Sequence, residues 1–98
     1  MAATVHLYQV KSAASVDPDK PAGQTTHKAA VLLVERALVA EGLLSPKWID
    51  GSYGTQTVEA YAAWQRALGY TGKDSDGMPG LASLRELGKL HDFTVVDD

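Results

Sequence analysis

The sequence contains no cysteine, which excludes disulfide bonds and thiolate chemistry. It also has no apolar run near the roughly 20 residues that a membrane-spanning helix needs. Its first residues lack the basic stretch and apolar stretch that together mark a secretory signal. The missing cysteine leaves the compartment open, because such a chain can work inside or outside a cell.

The sequence also lacks an excess of basic residues. Nine Lys and Arg residues face twelve Asp and Glu residues, so the net charge is −3, and the basic residues are scattered along the chain. Nucleic-acid binding usually requires a basic face, so we expect no nucleic-acid partner. The hydrophobic fraction of 45% and the length of 98 residues indicate one globular domain with a modest core.

A turn followed by a helix occurs twice, 26 residues apart, at 50–57 and 76–83. Each copy has Asp-Gly, a second Gly three residues after the first, and a hydroxyl residue three further on. The Asp accepts hydrogen bonds from N–H groups just downstream, and the first Gly adopts positive φ. The second Gly occupies the N-cap position, and the hydroxyl falls near unpaired N–H groups of the first helical turn. The motif residues with this structural role are Asp50, Gly51, Gly54, Thr57, Asp76, Gly77, Gly80 and Ser83.

Apolar spacing predicts three core helices, at about 28–41, 55–68 and 81–90. Thr25 or Thr26 can cap the first of these, and Gly42 can end it in the left-handed conformation. The segment 4–15 favours a further helix, although 5–8 also fits a short strand. The residues 16–26 are predicted as a loop, and the tail 91–96 as an extended piece that packs Phe93 and Val95 onto the bundle. The predicted fold is therefore a compact all-α, three-helix bundle with an extra N-terminal helix.

The motif at 50–57 and the residues after it resemble a known family. With Ala60, Tyr61, Trp64-Gln65 and 68–70, the pattern is similar to the peptidoglycan-binding domain of bacterial and phage cell-wall hydrolases. The second copy, 76–87, resembles the closing turn and helix of that domain, and the helix before the first copy corresponds to its opening helix. The resemblance covers about 29–90, so we divide the chain into an N-terminal helix and loop extension (1–28) and a helical core and tail (29–98). The extension looks like one found in some actinobacterial and actinophage proteins.

The chain departs from the family pattern at three positions. Thr55 and Leu81 replace the frequent Pro at the first helical position, and Pro79 stands where a β-branched residue is usual. Much of the family motif is structural, so it implies the fold more directly than the ligand.

The resemblance implies a non-catalytic module that binds peptidoglycan and targets an attached or partner hydrolase to the bacterial cell wall. From the His spacing and the lack of a long apolar run we expect no metal and no membrane partner. We also expect no cofactor and a monomer. The resemblance further implies an extracellular or wall-associated location, as part of a larger protein or a phage product. A glycan with short peptides calls for aromatic faces and hydrogen-bonding groups. The candidate ligand-binding residues are Trp48, Tyr53, Tyr61, Trp64, Gln65, Tyr70, Asp76 and Arg85.

Each candidate ligand-binding residue also fits a role in the fold itself, as follows. Tyr61 and Trp64 lie on the apolar stripe of their helix and fit core packing. Asp76, like Asp50, fits a turn-forming role, and Gln65 fits hydrogen bonding to the backbone of a neighbouring loop. Arg85 fits a solvated helix face or an ion pair, whereas Trp48, Tyr53 and Tyr70 fit either role.

Two other function classes stay open. An enzyme is disfavoured because His6, His27 and His91 lie far apart in sequence, with no His-Glu-x-x-His and no Gly-x-Ser-x-Gly motif. Paired glycosidase carboxylates are possible in principle, but the cleft between them usually needs a larger scaffold. A protein-interaction or targeting module on the same helical fold is the main alternative.

Overall fold

The computed structural model describes residues 3–21 and 24–97. Its helices and strands in chain order are β1 (Ala3–His6), α1 (Leu7–Val16), α2 (Lys28–Ala40), α3 (Thr55–Ala67), α4 (Leu81–His91) and β2 (Phe93–Val96). Short 3-10 turns lie at Asp17–Asp19, Pro46–Trp48 and Gly72–Ser75. The three predicted core helices are confirmed, each ending within one residue of its expected bound.

The all-α prediction is wrong in one respect, because the chain is mostly helical but also contains a small parallel sheet. β1 pairs with β2, with Ala3 opposite Phe93 and His6 opposite Val96. The predicted N-terminal helix begins only at Leu7, since the residues before it form β1. Short apolar runs cannot be assigned to helix or strand by periodicity alone, and here pairing with the distant tail decides the outcome.

One hydrophobic core joins every helix and both strands. Val34 and Leu38 from α2 are fully buried, as is Leu84 from α4. Val5 of β1 and Val95 of β2 are buried in the same core, which confirms that the tail packs onto the bundle. Thus β1 and α1 contribute side chains to the interior of the fold. None of the helices in the described part of the chain has the length and apolar character to cross a bilayer.

The approach of β2 to α4 depends on a glycine. A Cβ atom on Gly88 would lie 2.4 Å from the Phe93 carbonyl oxygen and 3.0 Å from the Phe93 ring. The chain reverses between them at Asp92, which adopts the left-handed conformation (φ 60°, ψ 45°). A side chain at position 88 would therefore push the sheet away from the helix.

We predict that Gly88→Ala destabilises the protein, although Ala is ordinarily the better helix former by about 1 kcal/mol. The clash is with backbone, so we expect a net loss of about 1–2 kcal/mol in the free energy of unfolding. Thermal unfolding followed by circular dichroism should show a Tm lower by about 5–10 °C.

Lys89→Ala provides the control for this change, because Lys89 is on the same helix with its side chain 71% exposed. That variant should unfold within about 0.5 kcal/mol of the parent protein. A Gly88→Ala protein as stable as the parent would contradict the close approach of β2.

Candidate functional site

The two Asp-Gly turns have the same backbone design. Asp50 Oδ1 accepts a hydrogen bond from the Ser52 N–H, and Asp76 Oδ1 accepts one from the Met78 N–H, each at 2.9 Å. The glycine that follows each Asp has a φ of +81°. Gly54 and Gly80 are the N-caps of α3 and α4. The turn, the positive φ and the N-cap position are therefore confirmed.

The predicted role of the motif hydroxyls is wrong. Neither Thr57 nor Ser83 caps its helix. Thr57 Oγ1 donates instead to Glu35 Oε2 at 2.8 Å. Ser83 Oγ donates to the Gly80 carbonyl oxygen at 3.2 Å and lies 2.7 Å from the Tyr61 hydroxyl. Thus Thr57 connects α3 to α2, and Ser83 connects α4 to α3 through Tyr61.

A side chain from the preceding helix holds each turn. Glu35 of α2 accepts hydrogen bonds at Oε1 from the Gly51 N–H (2.9 Å) and the Asp50 N–H (3.2 Å). Gln65 of α3 accepts one from the Gly77 N–H (2.8 Å) and donates one to the Met78 carbonyl oxygen (3.0 Å). The prediction that Gln65 bonds to the backbone of a neighbouring loop is confirmed.

The sequence analysis missed Glu35, although the chain carries a signal for it. Residues 35–38 read Glu-Arg-Ala-Leu, and residues 65–68 read Gln-Arg-Ala-Leu. These two segments lie 30 residues apart, whereas the turns lie 26 apart, so they are related but not in register with the turn repeat. The first residue of each segment supplies the side chain that holds the turn.

A second buried carboxylate holds the other side of the first turn. Asp17, only 2% exposed, accepts a hydrogen bond at Oδ2 from the Tyr53 N–H at 2.8 Å. Its Oδ1 accepts from the Thr26 hydroxyl, and Lys20 Nζ donates to that hydroxyl oxygen at 3.2 Å. The predicted cap by Thr25 or Thr26 is therefore wrong, since the N-cap of α2 is His27 and no side chain caps this helix.

Burial gives Glu35 an unusual proton affinity. Desolvation raises the pKa of its carboxyl group to about 7, and the hydrogen bonds from Thr57 and the Gly51 N–H offset only part of this effect. The nearby charge of Asp50 raises the pKa further. The amide of Gln65 performs the same task at the second turn without a charge.

A pocket of about 230 Å³ opens at the first turn. Its wall contains the half-buried ring of Trp48, the Lys20 side chain, Asp50 and the start of α3 at 54–57. Lys47 Nζ lies 5.4 Å from the centroid of the Trp48 ring, within reach of a cation–π contact. The pocket therefore offers an aromatic ring, an ammonium group, hydroxyls and an amide at one point of the surface.

Most of the predicted ligand-binding residues lie elsewhere. Trp48 lines this pocket, and the other seven candidates do not. Four of them are buried and hydrogen-bonded within the fold: Tyr53, Tyr61, Trp64 and Gln65. Tyr70 is exposed just beyond α3, Asp76 belongs to the second turn, and Arg85 lines a separate hollow beside β2.

The buried aromatic residues hold the second turn and the start of α4. The Tyr53 hydroxyl donates to the Gly77 carbonyl oxygen at 2.9 Å, and Trp64 Nε1 donates to the Ser83 carbonyl oxygen at 3.0 Å. Burial raises the pKa of both Tyr53 and Tyr61 well above that of a free phenol, so both hydroxyls stay protonated as donors. These side chains fit the structural interpretation rather than a surface for ligands.

Among the described residues, no group of three or more His, Asp and Glu side chains is arranged to hold a metal ion. Comparison with protein-family models, characterised proteins and solved structures finds no match for this chain.

We predict that Glu35→Gln changes how the stability of the protein depends on pH. The carboxyl group binds its proton more tightly when folded (pKa about 7) than when unfolded (4.5). The free energy of unfolding of the parent protein should therefore fall as the pH rises from about 4.5 to about 7, then level off. The full shift corresponds to about 3 kcal/mol, and the Gln variant should lack this contribution.

Urea unfolding of both proteins at several pH values between 4.5 and 8 measures the difference directly. Glu59→Gln is the matched control, because Glu59 is an exposed Glu on α3. A constant difference between Glu35→Gln and the parent protein across this range would show that the carboxyl titrates normally.

Proposed function

We propose that this chain is a non-catalytic module that binds bacterial peptidoglycan and keeps an attached or partner hydrolase at the cell wall. Tethering of this kind raises the effective concentration of an enzyme at its polymer without any new chemistry. The proposal places the module outside the cell or in the wall, as part of a larger protein or a phage product. It rests on the resemblance of residues 29–90 to the peptidoglycan-binding domain, together with the surface chemistry at the first turn.

The observation that carries the proposal is the pocket beside Trp48. Binding sites for small ligands combine an apolar surface with a few placed polar groups. The Trp48 ring supplies the apolar surface, and Lys20, Ser52 and Gln56 surround it with hydrogen-bonding groups. Glu35, Asp17 and Thr57 fix the backbone beneath, so the wall is formed before a ligand arrives. A rigid site of this kind loses less entropy on binding.

The carboxylates near the pocket are engaged in holding the turn, which favours binding over catalysis. Glu35 has the raised pKa of a general acid, but it is fully buried and absent from the pocket wall. Asp17 accepts hydrogen bonds at both oxygens, and Asp50 closes its own turn. A general acid must reach the proton-accepting atom of the substrate, and Glu35 is placed where it reaches only the protein.

We predict that Trp48→Ala weakens binding to purified insoluble cell wall by about tenfold, the loss typical of a central aromatic contact. The measurement is the fraction of protein that pellets with the wall over a range of wall concentrations. Tyr70→Ala is the control, because Tyr70 is an exposed aromatic residue that does not line the pocket.

Both variants should keep the helical circular dichroism of the parent protein. If the parent protein stays in the supernatant over walls of several peptide chemistries, wall binding is excluded and a protein ligand becomes the better explanation. Loss of turbidity in a wall suspension treated with this chain alone would instead identify an enzyme.

A further inference from the structure

A second hollow adjoins the pocket at the first turn. It measures about 590 Å³ and lies between the end of α1, at Ala14 and Ser15, and the first turns of α3. Pro18 and Thr55 line both hollows, so the two are neighbours on the surface, and we call the pair the α1–α3 groove. The wall formed by α3 and its N-cap runs from Gly54 to Glu59, which is about 8 Å, or the length of about two extended peptide residues.

The chemistry of the groove changes along its length. The half at the first turn contains the Trp48 ring, the Lys20 side chain and the carboxylates of Asp17 and Asp50. The other half is walled by the apolar side chains of Ala14, Val58 and Met78. Glu59, one helical turn after Thr55, stands at this second half, and its exposed carboxylate makes no ion pair or hydrogen bond with another described residue.

We infer that the α1–α3 groove binds a short peptide of small side chains that places an ammonium group beside Glu59, rather than a bare sugar chain. The inference rests on the proposed function and identifies which part of the wall polymer the site recognises. Walls of Ala14, Val58 and Met78 bury methyl groups favourably. The polar side chains of this half, Ser15, Thr55 and Glu59, can pair with only part of the many hydroxyls of a sugar chain.

Charge complementarity supports the same occupant. Glu59 attracts a cationic group at the apolar half. The half near Trp48 is lined by Asp17 and Asp50 beside Lys20, so acidic side chains outnumber basic ones along the groove. A peptide that contains a diamino acid carries an ammonium group, whereas an unmodified sugar chain carries no charge.

The experiment uses soluble probes and the whole chain. The first probe is the synthetic pentapeptide N-acetyl-alanyl-γ-D-glutamyl-L-lysyl-D-alanyl-D-alanine, whose only amine is that of the lysine. The second is the same peptide acetylated at the lysine amine as well, and the third is chitotetraose. The indole N–H signal of Trp48 in NMR titrations reports Kd for each. We expect the free-amine peptide to bind more tightly than the acetylated peptide and the sugar.

Glu59→Gln should raise Kd for the free-amine peptide about two- to fivefold, as expected for an exposed ion pair, and leave Kd for the acetylated peptide unchanged. Asp74→Asn is the matched control, because it removes the same charge from an exposed position away from the groove. A general effect of net charge would change both variants alike and would overturn the inference.

The outcomes also separate this inference from the proposed function. Tighter binding of chitotetraose than of either peptide, with the protein still pelleting on intact wall, overturns the inference and leaves the function standing. Failure to pellet on wall and to bind any probe rejects both. Equal affinities for the free and acetylated peptides would show that no ammonium group is recognised at Glu59.

Discussion

The fold depends on one buried carboxyl group, that of Glu35. It joins α2 to the first turn through two backbone N–H groups and to α3 through the Thr57 hydroxyl. A buried N–H group left without an acceptor costs about 1–3 kcal/mol, so loss of this side chain would destabilise the turn. These hydrogen bonds fix the positions of the residues between 50 and 57 that form the pocket wall. The surface proposed to meet the cell wall is therefore set by a residue that no ligand touches.

The two turns share one backbone conformation but differ in the side chains that hold them and in the side chains that they expose. At the second turn a neutral amide, that of Gln65, performs the task of Glu35, and the hydroxyl of Tyr53 and the indole of Trp64 add further hydrogen bonds. Tyr53 and Trp64 are therefore buried and hydrogen-bonded inside the molecule. At the first turn, the ring of Trp48 stays at the surface, so the two copies differ in what they expose.

Much of the fold could be predicted from the sequence, because its signals are local. The apolar stripes predict α2, α3 and α4, and the spacing of Asp and the two Gly residues predicts the turns. Both patterns depend on residues that are close together in the sequence. The β1–β2 pair could not be predicted, since it joins Ala3–His6 to Phe93–Val96 across almost the whole chain. The candidate site was predictable only in part for a related reason. Trp48 could be suspected from its type, but the roles of Asp17 and Glu35 depend on tertiary contacts over 36 and 16 residues.

The most direct test of the central claim is a map of amide chemical-shift changes when the protein binds soluble cell-wall fragments that contain both sugar and peptide. The account predicts that the largest changes lie along the groove, at Lys20, Trp48 and residues 55–59, with small changes in β2 and at the second turn. Largest changes at α4 and β2, around Arg85, would contradict it, because the ligand would then occupy a surface that the first turn does not shape.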